Sequence, residues 1–133
     1  MLPAHQARVL ISAAEARAAD LGVPVNVAVL DAGAYLVAFS RMDGAVLGAI
    51  DLAIKKAKTA VLFQTTSEAV WEYCKPGAPG HALEHTNGGL APFAGGIPLK
   101  NARGEVVGAV GVSGGAVPQD LEIAEAAAAV PLT

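Results

Sequence analysis

The sequence predicts one α+β domain built on an antiparallel sheet with helices packed on it. Three observations carry this. Two pairs of β-rich runs are each joined by a short turn, Asp31-Ala32-Gly33-Ala34 in the first and Asn101-Ala102-Arg103-Gly104 in the second. Joins this short make antiparallel hairpins, because a parallel crossover needs about a dozen residues or more. Helical stretches stand before, between and after the hairpins, and strands paired by hairpins and flanked by helices give an α+β order. The chain's 133 residues fit a single domain over 1–133, with no repeat and no linker to divide it.

The elements follow in order. From Ala4 to Leu21, Ala7, Leu10, Ile11, Ala14, Ala18 and Leu21 recur at three- and four-residue steps, with Arg8, Glu15 and Arg17 off that stripe. Gly22 and Pro24 close this helix. Val25 to Leu30 and Tyr35 to Ser40 are the strands of the first hairpin, and Asp31 reads as a turn residue. A second helix is expected from about Val46 to Phe63, with Ile50, Ala53, Ile54, Ala57, Ala60 and Val61 buried, and Asp51, Lys55 and Lys58 on another face. Ser67 is placed as the cap of a third helix reaching Tyr73. Lys75 to Gly96 is rich in glycine and proline, and an irregular stretch this long is usually functional or disordered. Ile97 to Leu99 and Val106 to Val112 form the second hairpin; Gly108 and Gly111 leave room there for a close backbone approach. Pro118 suits the first turn of a last helix to Ala129, with Asp120 and Glu122 near its positive end.

Composition narrows the function classes. The net charge of −3 argues against nucleic acid, which calls for a basic face. No run approaches the 18 or so apolar residues of a membrane span. The first residues lack the basic start and apolar run of a signal peptide, and Cys74 is the only cysteine. These features lead to an expectation of a cytoplasmic protein. Hydrophobic residues make up 53% and aromatics only 5%, much of the remainder being alanine. Small side chains bury little area each, so close helix packing and self-association are expected to contribute to stability.

Three polar patterns stand out. Gly111-Val112-Ser113-Gly114-Gly115 matches the G-x-S-x-G string of serine hydrolases, but no histidine follows Ser113 and the chain is short for that fold. It reads as a glycine-rich turn leaving a strand. The amides at Ser113 and Gly114, with the start of the following helix, are a candidate holder for a carboxylate or phosphate. His81-Ala82-Leu83-Glu84-His85 matches the H-x-x-E-H zinc string. Zinc there needs both histidines one helical turn apart and a third ligand, and the flanking Pro79-Gly80 and Gly88-Gly89 allow only a short helix. A solvated loop is one reading; a metal contact through His81 or His85 is the other. Tyr73, Cys74 and His5 are weaker ligand candidates. Arg41-Met42-Asp43-Gly44 ends an apolar strand. Either Asp43 caps the next helix and Arg41 pairs with a carboxylate, or Arg41 joins Lys55 and Lys58 around an anionic ligand.

An ordered series of short strings resembles the GlcG/HbpS family, which includes the C-terminal domain of PduO-type proteins. The strings are Val27-Ala28-Val29-Leu30-Asp31-Ala32-Gly33, Phe39-Ser40-Arg41-Met42-Asp43-Gly44-Ala45, Lys55-Lys56-Ala57-Lys58-Thr59-Ala60, Gly95-Gly96-Ile97-Pro98-Leu99 and Val107-Gly108-Ala109-Val110-Gly111-Val112-Ser113-Gly114, then Gln119-Asp120 and Ile123-Ala124. They span nearly the whole chain. The resemblance implies a profilin-like fold with a five-stranded antiparallel sheet, and homo-oligomers. It also implies haem or iron binding, with haem degradation described for some members.

Three functions follow. The first is a haem- or iron-binding protein, with a lysine, histidine or tyrosine at the iron and cationic side chains at the propionates. The second is a small catabolic enzyme acting on an organic acid by proton transfer, hydrolysis or deamination. In it Arg41 and Lys55 orient the carboxylate, and Asp43, Glu84 or a histidine moves protons. The third is a non-catalytic assembly or sensor module that uses alanine-rich helices and the final strand as contacts.

Overall fold

The computed structural model describes residues 1–132. Helix α1 (Ala4–Leu21) comes first, then the hairpin β1 (Asn26–Asp31) and β2 (Leu36–Arg41). Helices α2 (Ala49–Phe63) and α3 (Ser67–Cys74) follow, with a single 3₁₀ turn at Leu83–His85. The hairpin β3 (Gly96–Lys100) and β4 (Val106–Ser113) and helix α4 (Val117–Ala128) complete the chain. The strands form one antiparallel sheet in the order β2-β1-β4-β3.

Both hairpins are closed by the same side-chain device. Asp31 Oδ1 accepts the N–H groups of Gly33 and Tyr35, each at 2.9 Å. Asn101 Oδ1 accepts those of Arg103 at 2.9 Å and Glu105 at 3.0 Å. A short acceptor folded onto its own backbone is the mechanism that makes these residues turn formers.

Helices cover both faces of the sheet. On one, Val25, Val27, Val29, Val110, Val112 and Leu99 bury against Leu10, Ile11 and Ala14 of α1 and Ile123, Ala124 and Ala127 of α4. On the other, Leu30 and Ala109 meet Ala57, Ala60 and Val61 of α2. Seating α2 this close depends on Gly96 and Gly111, which face each other across β3 and β4. A methyl group on Gly111 would overlap the carbonyl oxygen of Ala53 and lie 2.7 Å from the Ala57 nitrogen. One on Gly96 would overlap the carbonyl of Lys56. Glycine is required at both positions for the approach of another backbone rather than for its torsion angles.

The structure corrects four sequence expectations. The sheet has four strands among the described residues, not five. Between α2 and β3, the many glycines and prolines leave α3, the 3₁₀ turn and bends, with no extended run to pair. Helix α2 begins at Ala49 rather than Val46: residues 47–48 form a turn closed by the Ala49 N–H to Val46 carbonyl bond, and Asn26 Nδ2 donates to the same Val46 carbonyl at 3.2 Å. Asp43 therefore does not cap it. Ser67 is the first residue of α3 rather than its cap. Its hydroxyl donates to the Phe93 carbonyl and accepts the Gly96 N–H at 2.9 Å, so it ties α3 to the start of β3.

Candidate functional site

The sequence candidates fall into two groups along α2. The first lies at its N-terminal end. Arg41 ends β2 and is exposed, as is Asp43 in the following turn. Arg41 pairs in register with Asn26, and Asn26 with Ser113 on its other side. Among the described residues Arg41 makes no ion pair, so the expected carboxylate partner is not formed. Asn26 is fully buried and its Oδ1 has no partner among the described residues. Ser113 is buried at the end of β4, against a cleft of about 360 Å³ lined by Val46, Ala49, Leu52, Gly114 and Gly115.

Amides near this cleft are taken by the chain itself. Gly115 N–H donates to Asp120 Oδ1 at 2.8 Å, and Ala116 N–H to Gln119 Oε1 at 2.9 Å. Asp120 thus supplies an internal carboxylate to the Gly115 amide of the glycine-rich turn.

Asp120 leads to the polar feature that sequence reasoning missed. Lys56 is buried, and its Nζ donates to Asp120 Oδ2 and to the Val112 carbonyl, both at 3.0 Å. The pair reaches from α2 on one face of the sheet to α4 on the other. The signal was present: Lys56 is three residues after Ala53 and four before Ala60, on the apolar stripe. A charge at such a position is buried only when paired.

The second group lies two to three turns further along α2. Lys58 Nζ donates to the Asn87 carbonyl. Lys55 Nζ pairs with Asp51 at 3.1 Å, and a Cβ added to Gly89 would lie 3.2 Å from it. Thr59 Oγ1 accepts the Ala91 N–H at 3.0 Å and donates to the Lys55 carbonyl at 2.7 Å. One helix face therefore carries the 81–91 loop. In that loop His81 and His85 are exposed and Leu83 is half-buried. Leu62 continues the Lys55–Lys58 stripe at helical spacing and is also exposed.

The zinc string does not form its metal site. Only Leu83–His85 is helical, as a 3₁₀ turn after Ala82 in the left-handed region, so the two histidines are not one α-turn apart. No group of three or more His, Cys, Asp or Glu side chains converges among the described residues. Glu84 lies in this turn, with Oε1 buried and without a hydrogen-bond partner among the described residues. No hydrogen bond or ion pair joins it to Arg41 or Asp43 among the described residues. His5 lies on α1, across the sheet from α2. Tyr73 is exposed and packs where a side chain on Gly80 would sit.

Cys74 is buried at 1% exposure. Burial pushes its thiol pKa up, and the negative charge of Glu84 pushes it further in the same direction. A raised pKa means less thiolate, the reactive form. Thiol reagents are expected to leave Cys74 unmodified in the native protein at pH 8 and to modify it fully in denaturant. Rapid native labelling would show that α3 and the loop open readily.

Comparison with known proteins places this architecture. The family model described as haem degrading protein HbpS-like matches residues 2–129. A 15.0 kDa protein from the dhaT-dhaS intergenic region of Citrobacter freundii is 38% identical over 122 residues, covering 91% of this chain and 85% of that one. The corrinoid adenosyltransferase PduO of the same organism is 40% identical over 121 residues, which cover 90% of this chain. This chain spans only 36% of that relative's length. Among solved structures, a PduOC:heme complex superposes with a TM-score of 0.89 at 40% identity, covering 94% of this chain and 91% of that one. No helix among the described residues is long and apolar enough to cross a membrane.

Proposed function

We propose that this chain, which belongs to the HbpS-like family, binds haem on the surface formed by α2 and the 81–91 loop. The observation that carries the reading is the 40% identity and matching fold of a relative solved as a haem complex. Haem asks for a donor to iron, cations for its propionates and apolar area for the ring. The surface supplies each kind: the imidazoles of His81 and His85, the ammonium groups of Lys55 and Lys58, and the side chains of Leu62 and Leu83. The donor set fits the group. In this reading Lys55 and Lys58 hold the propionates, the Lys58–Asn87 bond positions the loop, and His81 or His85 reaches the iron. Bound haem supplies the iron centre. The chain's own part is to orient the ring and set how much water reaches it.

This assigns the anion-binding role to Lys55 and Lys58 rather than to Ser113 and Gly114, beside which Asp120 takes the Gly115 N–H. No observation favours the organic-acid enzyme. Arg41 and Asp43 stand at the far end of α2 from Glu84, and no hydrogen bond or ion pair links them among the described residues.

The site is tested by hemin titration of His81→Ala, His85→Ala and Lys55→Ala/Lys58→Ala. One histidine variant is expected to shift or abolish the Soret band. Loss of both propionate contacts is expected to weaken binding by about a hundredfold or more, since charge-assisted hydrogen bonds contribute about 1.5–3 kcal/mol each. Unchanged spectra and affinity in all three would remove haem from this surface.

We also read the chain as a homo-oligomer. Tyr35, Leu36, Val46, Leu47 and Phe63 are all exposed, and contact with a second copy would remove their apolar area from water.

A further inference from the structure

The two edges of the sheet are finished differently. At β3, the Val112 N–H to Gly95 carbonyl bond of 2.9 Å fixes the alternation of the ladder. Ile97 and Leu99 then face β4, while Gly96, Pro98 and Lys100 face outward. Ser67 covers the Gly96 N–H, and Pro98 has no N–H to offer. Proline at an outward position blocks further pairing.

The β2 edge has no such block. The Met42 N–H to Val25 carbonyl bond of 3.1 Å sets its phase. Ser40 and Ala38 face β1, so Phe39 and Arg41 present their N–H and C=O groups outward. No backbone hydrogen bond to another element covers them among the described residues, and β2 contains no proline.

Alongside this edge runs a groove of about 450 Å³ between α1 and β2. Arg8 lines one end and Glu15 the other, with Ile11 and Ser12 between them and Phe39 on the strand side. Glu15 Oε2 accepts the Ser40 hydroxyl at 3.0 Å. Neither Arg8 nor Glu15 has an ion-pair partner among the described residues. They are seven residues apart on α1, about 10 Å along the helix. The midpoint of that span lies at Ile11 and Ser12, beside the middle of β2.

We propose that the β2 edge pairs antiparallel with the β2 edge of a second copy of this chain, about a twofold axis between Ser12 and Phe39. The sheet then continues across both protomers, and Arg8 of each meets Glu15 of the other. Such an interface is self-complementary, as a twofold requires. The charges select the second copy as occupant: in an antiparallel arrangement the plus–minus order along α1 is matched by its own reverse. This interface rests on the reading of the chain as a homo-oligomer and is independent of haem.

The test is sedimentation equilibrium of the full chain with Arg8→Glu, Glu15→Arg and the double swap. Each single variant places like charges together twice, so the dissociation constant is expected to rise by about tenfold or more. The double swap is expected to restore association. Phe39→Pro, which removes an outward N–H and leaves the β1 ladder intact, is expected to separate the protomers while circular dichroism stays native. If the single swaps associate as well as the wild type, or the double swap fails to recover, the interface is overturned although the oligomer stands. A monomeric wild type overturns both.

Discussion

Replacing Lys56 by methionine is expected to lower the stability of the domain by about 3–5 kcal/mol, the usual cost of removing one partner from a buried ion pair. The loss comes less from the missing attraction than from what remains. Asp120 keeps its bond to the Gly115 N–H but faces the protein interior as an unpaired carboxylate, with the Val112 carbonyl beside it also stripped of its donor. The effect is expected in equilibrium urea unfolding followed by circular dichroism, as a lower midpoint at unchanged slope. Asp120→Asn alone should behave in a similar way. Lys56→Met combined with Asp120→Leu should recover a large part of the loss, because no charge is then left without a partner. Additive losses in the double variant would show that the pair is not coupled as the distances imply.

Gly111→Ala is the second large effect. The added methyl meets the carbonyl oxygen of Ala53 and the backbone nitrogen of Ala57. These are main-chain atoms in the middle of a helix and cannot rotate aside. Inserting a methylene into a packed core costs about 1–3 kcal/mol where side chains absorb it, and more where they cannot. We expect at least about 3 kcal/mol here, the top of that range. We also expect loosening of the α2 layer, seen as faster hydrogen exchange in α2 than in α1 and α4. Gly104→Ala serves as a control, since a Cβ there meets nothing within 4 Å and any loss reflects only its left-handed turn. Equal losses at both glycines would contradict the close-approach explanation.

Much of this architecture was legible in the residues. The first helix has the bounds that its periodicity and Gly22 indicate, and both hairpins turn where Asp31 and Asn101 place them. Those features are local, and local chemistry decides them. The two hairpins alone indicate the four strands observed, and the fifth came only from the family resemblance; the start of α2 and the role of Ser67 were not local. Each depends on a contact many residues away: Asn26 with Val46, and Ser67 with Phe93 and Gly96.

The site was legible in part. Lys55 and Lys58 do share a surface with the loop that carries His81 and His85, but Arg41 stands apart from them at the other end of α2. Lys56 was hidden because lysine is expected in water. Only its position on the apolar stripe marked it, and its partner Asp120, read as a residue favouring the helix start, is buried as well.

Haem binding is the property from which the roles of Lys55, Lys58, His81 and His85 follow. The direct measurement is a titration of the purified protein with hemin, following the Soret region against hemin added to buffer. A shifted band that saturates at about one haem per chain is expected. The unfolding temperature is expected to rise with hemin concentration, because a ligand that binds only the native state stabilises it by mass action. A spectrum that stays that of free hemin at every ratio, with no shift in unfolding temperature, would rule out haem binding.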